Sequence, residues 1–201
     1  MANISAILTA GGESTRMGHP KPLLLWQGVT LIEYQVQSLT RAGVSEVIVV
    51  LGHESDIISR YVAGPHVRWV MNPDYRLGRA TSIKIGLSAI SSRADAILLL
   101  AIDQPRTERI MSTIIKAHVK NNAQITSPRY KGRGGHPLIF AASLKAELLG
   151  ISEEGQGIRQ VFDAHKNDVS EIEIDDPVVR LDLNTPETYK EARSLYDCMD
   201  S

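Results

Sequence analysis

The 201-residue sequence predicts an α/β fold of three layers, in which helices cover both faces of a mostly parallel sheet. Three observations predict this fold. Continuous apolar runs, such as EVIVVL over 46–51 and AILLLAI over 96–102, are typical of strands buried on both faces. Amphipathic segments separate these runs, and such alternation indicates parallel pairing. Apolar residues make up 43% of the chain, which is enough for a sizeable core.

The order of the elements follows from the same periodicities. Apolar runs predict strands over 4–9, 46–51, 67–71, 96–102 and 124–127. Amphipathic spacing predicts helices over 31–41, 55–62, 81–91 and 108–121. The polar joints at 72–78 and 129–135, which carry glycine or proline, are candidates for the rim of a cleft.

The pattern is looser beyond residue 128. Because Pro137 cannot donate to a ladder, the segment 136–140 is predicted to be an edge strand. Helices are predicted over 142–149 and 156–164, and strands over 170–174 and 178–183, with antiparallel pairing of these two strands as an option. Thr185 is a suitable N-cap for a last helix that begins at Pro186.

Length and composition restrict the class of protein. The length predicts one domain over residues 1–201, with two small domains as the alternative. A formal net charge of −1 gives no field that would attract nucleic acid or an anionic membrane. No apolar stretch reaches the roughly 18 residues of a membrane helix, and no signal peptide is recognisable. The lone cysteine, Cys198, cannot form an internal disulfide, so we expect a reduced, cytoplasmic location.

A glycine-rich loop after the first strand is the most informative segment. Backbone N–H groups of such a turn can approach an anion without an intervening Cβ. Arg16 adds a planar fork of donors and Lys21 a compact charge, as phosphate sites do. The spacing fits neither a P-loop nor the dinucleotide fingerprint, which disfavours a NAD-type dehydrogenase. The residues that carry this interpretation are Gly11, Gly12, Ser14, Arg16, Gly18 and Lys21.

Carboxylates follow two of the predicted strands. Asp103 comes directly after the most apolar strand, where a carboxylate can hold a hard cation such as Mg²⁺, although an Asx-turn is the alternative. Asp182 and Asn184 lie two residues apart, so they point the same way in an extended chain. Here the alternative is that Asn184 and Thr185 only cap the following helix.

The run A-G-G-x-S-x-R-M-G-x-P-K-x-L-L over 10–24 resembles the signature of the molybdopterin cytidylyltransferase and guanylyltransferase family. The segments 72–87, 101–105, 133–140 and 182–189 resemble further blocks of that family, in the same order. The resemblance implies a Rossmann-like nucleotide-binding fold of the GT-A type. It also implies transfer of a nucleoside monophosphate from a triphosphate to an acceptor phosphate, with Mg²⁺ as cofactor and pyrophosphate as the leaving group.

The resemblance also implies a catalytic set and a metal site. Lys21 would lie at the α-phosphate, and Arg16 at the β- and γ-phosphates. Asp103 would join them in catalysis by holding Mg²⁺, with Asp182 or Asn184 completing the metal site. The nucleotide-binding loop would comprise Ala10, Gly11, Gly12, Ser14, Arg16 and Lys21.

The base and the acceptor are assigned in the same way. Asn72 and Ser82 resemble contacts of the base and ribose, although Ser82 equally fits a plain position in the first turn of a helix. His136 resembles an acceptor-side residue, with a simple turn as the alternative. The chain departs from the family pattern at Arg79, where Met is usual, and at Ala80, where Ser is usual. The letters TAGG combine the two branches of the family, and the Asn-Pro and Gly-His-Pro blocks favour CTP.

We therefore expect a nucleotidyltransferase that moves CMP from CTP to a small phosphorylated acceptor such as molybdopterin. The alternatives are a guanylyltransferase, a transferase for another phosphate acceptor, and a nucleotide-binding regulator without turnover. The segment EGQGIR over 154–159 departs from the Gly-Asp-x-Gly-x-Arg block of the family, which implies either a different acceptor or weaker binding of the acceptor. Transient contact with a molybdoenzyme or a cofactor chaperone is a further expectation, and nucleic acid and membranes are not expected partners.

Overall fold

The structure, a computed structural model, describes residues 2–197, so Cys198 lies outside the described residues. We number the elements of this range in chain order. The strands are β1 (Ile4–Ala10), β2 (Leu25–Trp26), β3 (Val29–Thr30), β4 (Glu46–Leu51), β5 (Val67–Met71), β6 (Ala96–Ala101), β7 (Ile125–Tyr130), β8 (Arg133–Gly134), β9 (Leu138–Ala141) and β10 (Val169–Glu173). The α-helices are α1 (Leu31–Arg41), α2 (Ser55–Ile58), α3 (Arg79–Ala89), α4 (Glu108–Asn121), α5 (Lys145–Leu149), α6 (Ile158–Ala164) and α7 (Pro186–Asp197).

One eight-stranded sheet organises the chain. Its strand order is β10–β7–β9–β6–β1–β4–β5, and the short β8 pairs with β7. Strand β1 is parallel to both β4 and β6, β4 is parallel to β5, and β10 is parallel to β7. Strand β9 is antiparallel to its two neighbours, β6 and β7. The mostly parallel sheet that the sequence predicts is confirmed.

Side chains that alternate along the strands divide the core into two layers. In β1, Ala6 and Leu8 face a cluster built with α1, α4 and α7, whereas Ile7 faces a cluster built with α3, α5 and α6. Successive strand residues point to opposite faces, so a continuous apolar run requires helices on both sides. The three-layer arrangement is therefore confirmed and follows from the β1, β4 and β6 sequences.

Several helices begin at residues whose side chains satisfy free backbone N–H groups. Thr30 and Glu33 form a reciprocal capping box at the start of α1. Thr185 accepts from the N–H of Thr188 at 3.3 Å and caps α7, as predicted. Within residues 2–197, every helix is too short or too polar to cross a membrane.

The prediction of an edge strand at 136–140 is wrong. Strand β9 begins only at Leu138 and lies inside the sheet, between β6 and β7. Pro137, which follows a cis peptide bond, precedes the strand, so its missing N–H interrupts no ladder. Because β9 runs antiparallel to β6, with Leu138 opposite Leu99, His136 lies near the carboxyl end of β6.

The prediction of a strand at 178–183 is also wrong. Pro177–Arg180 forms a 3₁₀ turn, and the side chain of Asp176 accepts from the N–H of Val178 at 2.9 Å. Val178 and Val179 are fully buried, so their apolar character reports packing against the core and not a strand. Strand β10 pairs in parallel with β7, which excludes the antiparallel option for the 170–174 segment.

An aromatic cluster joins the loop after β1 to the C-terminal helix. Trp26 is fully buried in the β2–β3 hairpin. The centroid of its ring lies 6.4 Å from that of Tyr34, 5.9 Å from that of Tyr189 and 4.9 Å from that of Tyr196. Helix α7 therefore packs against the segment that directly follows the glycine-rich loop.

Candidate active site

A cleft of about 280 Å³ opens at the carboxyl edge of the parallel strands. Ligands of open α/β sheets collect at this edge, because the loops that follow the strands converge there. The cleft combines the glycine-rich loop with residues that follow β5, β6 and the 3₁₀ turn at 177–180. Its lining includes Thr9, Gly11, Gly12, Ser14, Arg16, Lys21, Tyr75, Gly78, Arg79, Ser82, Asp103 and Asn184.

The glycine-rich loop contains no α-helix, and hydrogen bonds fix its conformation. Ser14 adopts a left-handed conformation with φ of 54°, and its hydroxyl accepts from the N–H of Lys21 at 3.1 Å. The carbonyl of Gly11 accepts from the N–H of His53 at 3.1 Å, which ties the loop to the end of β4. A Cβ at Gly52 would lie 2.7 Å from that carbonyl oxygen, so glycine permits this close approach.

Lys21 lies at the centre of the polar groups in the cleft. Its Nζ is 3.5 Å from Asp103 Oδ2 and donates to Asn184 Oδ1 at 3.2 Å. The N–H of Leu183 donates to the carbonyl of Asp103 at 2.7 Å, which brings the C-terminal segment against the end of β6. These bonds bring together Lys21, Asp103 and Asn184, which the sequence predicts as site residues.

Asp103 lies beside Lys21, and a second carboxylate, Asp182, is near enough to Asp103 to feel its charge. Asp103 Oδ1 is buried and has no hydrogen-bond partner among the described residues. Asp182 is exposed as a residue, but withdrawal of its carboxyl from water raises the pKa of that group. The guanidinium of Arg106 opposes this shift, and the negative charge of Asp103 adds to it. Both carboxylates therefore gain from a cation.

Of the remaining predicted site residues, some line the cleft and others are buried behind it. Arg16 lines the cleft and forms no hydrogen bond or ion pair among residues 2–197. Ala10 is buried with its side chain in the core, so only its backbone is near the loop. Ser82 lines the cleft. The amide of Asn72 is buried behind Ser82 and donates to its hydroxyl at 2.9 Å, and its contact with a base stays a prediction.

His136 lies outside this cleft, in a second cavity of about 960 Å³. Burial and the nearby Arg106 and Arg79 guanidinium groups lower the pKa of His136 to about 4, so its imidazole is neutral at pH 7. Three arginines and one glutamate are among the groups that line this cavity. The lining includes Arg79, Ser127, Gly134, Gly135, His136, Glu153, Arg159 and Arg180.

Arg106 is a buried residue that supports the site, and the sequence analysis missed it. It is fully buried, and burial lowers the pKa of its guanidinium to about 10. It donates at 2.8 Å to the carbonyls of Pro105, His136 and Leu181. These bonds hold the segment of His136, which lines the second cavity, next to the segment 181–184, whose Asn184 lines the cleft. A lone Arg after a proline gives no sequence signal of this kind, since its partners are backbone carbonyls of distant segments.

A smaller polar network supports the loop that carries Asp103. Buried Gln35 donates to the carbonyl of Gln104 at 2.7 Å. The side-chain oxygen of Gln104 accepts from the N–H of Ala101 at 3.2 Å. These groups would cost free energy if left unpaired, so they favour a single conformation of this turn.

A cleft with glycine-rich backbone, guanidinium groups unpaired within the described residues, an ammonium and the carboxylate of Asp103 is suited to holding a phosphate chain and a cation. Asp182 does not line this cleft. On this fold the arrangement defines a nucleotide-binding transferase of the Rossmann-like α/β class. The chain matches the MobA-like NTP transferase domain over residues 6–169 and belongs to that family. It is therefore a nucleotidyltransferase.

Three relatives indicate the range of activities among similar proteins. A molybdenum cofactor cytidylyltransferase of Escherichia coli is 27% identical over 98% of each chain. A nicotine blue oxidoreductase of Paenarthrobacter nicotinovorans is also 27% identical, over 78% of this chain and 79% of the relative. A probable molybdenum cofactor guanylyltransferase of Bacillus cereus is 30% identical over 70% of this chain and 68% of the relative.

Two solved structures have the same fold as this chain. Rv0371c from Mycobacterium tuberculosis superposes with a TM-score of 0.84 and is 26% identical, with 96% of this chain and 98% of that chain covered. A complex of Rv0371c with manganese superposes with a TM-score of 0.77 at 25% identity, over 96% of this chain and 99% of that chain.

Proposed function

We propose that the protein transfers CMP from CTP to a phosphorylated acceptor of the molybdopterin class. An oxygen of the acceptor phosphate forms a bond to the α-phosphorus of CTP. The bond from that phosphorus to the bridging oxygen breaks, and its electron pair leaves with pyrophosphate. The observation that carries the proposal is the cleft itself, where Arg16 and Lys21 line the same space as Asp103.

The donor triphosphate fits the positive side of this cleft. Arg16 is free to form a bidentate contact with β- and γ-phosphate oxygens, next to the backbone of Gly11 and Gly12. Lys21, which is anchored between Asp103 and Asn184, is suited to the α-phosphate. Charge stabilisation and positioning provide most of the catalysis in reactions of this kind.

A divalent cation fits the carboxylate side. The unpartnered Asp103 Oδ1 is an available oxygen, and burial together with the charge of Asp103 raises the pKa of Asp182. Mg²⁺ takes one or two carboxylates together with substrate phosphates, so Asp103, Asp182 and Asn184 would suffice. When bound, the ion neutralises charge on the phosphates. The manganese complex of the similar Rv0371c supports a divalent ion here.

The second cavity is suited to the acceptor. It is adjacent to the donor cleft, since Arg79 lines both. Arg79, Arg159 and Arg180 give it a positive excess over Glu153, and neutral His136 adds a hydrogen-bonding group without charge. An acceptor that carries a phosphate would find complementary charge in this cavity.

CTP is the proposed donor, because the relative that matches the chain over nearly its full length is a cytidylyltransferase. The guanylyltransferase relative makes GTP the alternative. Ser82, supported by the buried amide of Asn72, would contact the ribose or base. Transient transfer of the product to a molybdoenzyme or a cofactor chaperone belongs to the same proposal.

The test is a panel of CTP, GTP, ATP and UTP with Mg²⁺ and molybdopterin, with pyrophosphate release as the readout. We expect release with CTP at a rate well above that with the other three nucleotides. A second arm measures the thermal shift with each nucleotide and no acceptor. Shifts without any pyrophosphate release would favour the regulator without turnover, and release with GTP alone would replace CTP by GTP.

A further inference from the structure

Arg79 occupies the boundary between the two cavities. It lines the donor cleft together with Lys21 and Asp103, and it lines the second cavity together with His136 and Arg180. It also borders a small gap that shares lining residues with both spaces, Thr9 with the cleft and His136 with the second cavity. Among the described residues, Arg79 is the one that borders all three spaces.

The guanidinium of Arg79 is available to a ligand. Its side chain forms no hydrogen bond and no ion pair within residues 2–197. Its positive charge is felt in the second cavity, where it contributes to the lowered pKa of His136. An exposed arginine at such a position can bind an anion without first breaking an internal contact.

At the start of α3, the side chain of Arg79 is free to bind an anion, and the N-terminus of the helix is not. Glu153 Oε1 accepts from the N–H of Ala80 at 2.6 Å. This carboxylate occupies the positive end of the helix, and its carbon atoms lie against Gly78, where a Cβ would collide with them. The guanidinium of Arg79 is therefore the free positive group at this point.

We infer that Arg79 binds the attacking phosphate of the acceptor and holds it against the α-phosphorus of the bound nucleotide. This inference rests on the proposed function. A planar guanidinium can donate to one oxygen of the acceptor phosphate and to one of the α-phosphate at the same time. Such bridging leaves the other non-bridging oxygens of the acceptor free to attack and reduces the repulsion between the two anions.

The first arm of the test separates acceptor from donor effects. We compare the wild type with Arg79→Met, Arg79→Lys and the control Arg93→Met, which removes an exposed guanidinium at the opposite end of the sheet. For Arg79→Met we expect a kcat/KM for molybdopterin that is about 10- to 100-fold lower, as for loss of a charge-assisted hydrogen bond. The Kd for CTP should rise much less, because Arg16, Lys21 and the glycine-rich loop still line the donor cleft. Arg79→Lys should recover part of the loss, and Arg93→Met should equal the wild type.

An unchanged kcat/KM in Arg79→Met, or a loss of CTP affinity as large as the loss of turnover, would overturn the inference. An equal melting temperature for Arg79→Met and the wild type is the control for folding. A merely structural role would not produce a selective rise in the KM for the acceptor or its partial rescue by Lys.

The second arm does not need turnover. Inorganic phosphate is titrated into the protein saturated with Mg²⁺ and a non-hydrolysable CTP analogue, and binding is followed by phosphorus NMR. Phosphate binding that is present in the wild type and lost in Arg79→Met would support the anion site even if no acceptor is turned over, in which case the proposed function alone fails. Equal phosphate binding in both proteins, alongside normal turnover, would remove the role of Arg79 and leave the proposed function intact.

Discussion

The Nζ of Lys21 donates to the side-chain oxygen of Asn184 at 3.2 Å, across 163 positions of the chain. Asp103 lies 3.5 Å from the same ammonium and holds the backbone of Leu183. One cation thus joins the glycine-rich loop, the end of the central strand β6 and the segment before α7. The position of Lys21 in the cleft depends on all three segments.

Replacement of Lys21 by Ala should abolish nucleotidyl transfer without unfolding the protein. The ammonium is the group suited to stabilising charge at the α-phosphate, and removal of one such preorganised donor lowers kcat by about 100- to 1,000-fold. Pyrophosphate release and the melting temperature are the measurements, with Lys116→Ala on the helix α4 as the control. A rate equal to that of the wild type would exclude Lys21 from the mechanism.

Asp103→Asn should raise the concentration of Mg²⁺ that gives half-maximal activity. The substitution keeps the size of the side chain but removes the charge of the carboxylate whose Oδ1 has no partner. The control is Asp56→Asn, which removes an exposed carboxylate in α2. If both variants need the same Mg²⁺ concentration as the wild type, the metal site lies elsewhere.

Arg106→Met should destabilise the fold by about 3 kcal/mol or more, because three carbonyls, in one buried and two partly buried hydrogen bonds, lose their donor at about 1–3 kcal/mol each. Removal of the buried charge offsets part of this cost, as the lowered pKa of Arg106 indicates. The lost hydrogen bonds outweigh this gain, since methionine offers no donor. Urea unfolding measures the difference, with exposed Arg41→Met as the control. A change within about 0.5 kcal/mol, as for ordinary surface sites, would contradict the expectation.

His136→Asn should make stability less sensitive to acid. The pKa of His136 falls from an ordinary 6.5 to about 4 on folding, so the unfolded chain takes up the proton first as the pH falls. The wild type keeps its full stability above pH 6.5 and loses about 2 kcal/mol between pH 7 and pH 5 from this group. Urea unfolding at both pH values should show a smaller loss in the variant. The control is His66→Asn, which changes an exposed histidine. An equal loss of stability in His136→Asn and the wild type would contradict the lowered pKa of His136.

The sequence predicts those parts of the fold that depend on local periodicity. Helices α1 and α4 and strands β4 and β5 have the predicted bounds, because burial on one or both sides imposes a regular apolar pattern. Val178 and Val179 show the limit of this reasoning, since burial in a turn leaves the same apolar signal as burial in a strand. Whether Pro137 lies inside a strand could not be predicted from the sequence, because this depends on the residue at which β9 begins.

Some residues of the candidate site could likewise be predicted from the sequence, and others could not. Lys21, Asp103 and Asn184 could be selected because each follows a strand or belongs to a recognisable block. Their mutual contacts, and the second cavity, depend on the order of strands in the sheet. Arg106 could not be selected at all, because its partners are carbonyl groups, which every residue carries.

The aromatic cluster around Trp26 gives the protein an internal optical reporter. The chain has two tryptophans, and while Trp26 is fully buried in the hairpin that follows the glycine-rich loop, Trp69 on β5 is 43% exposed. Iodide in solution reaches an exposed indole and not a buried one, so it suppresses emission from Trp69 and leaves that of Trp26. The residual fluorescence then follows the packing of α7 against the hairpin as ligands bind.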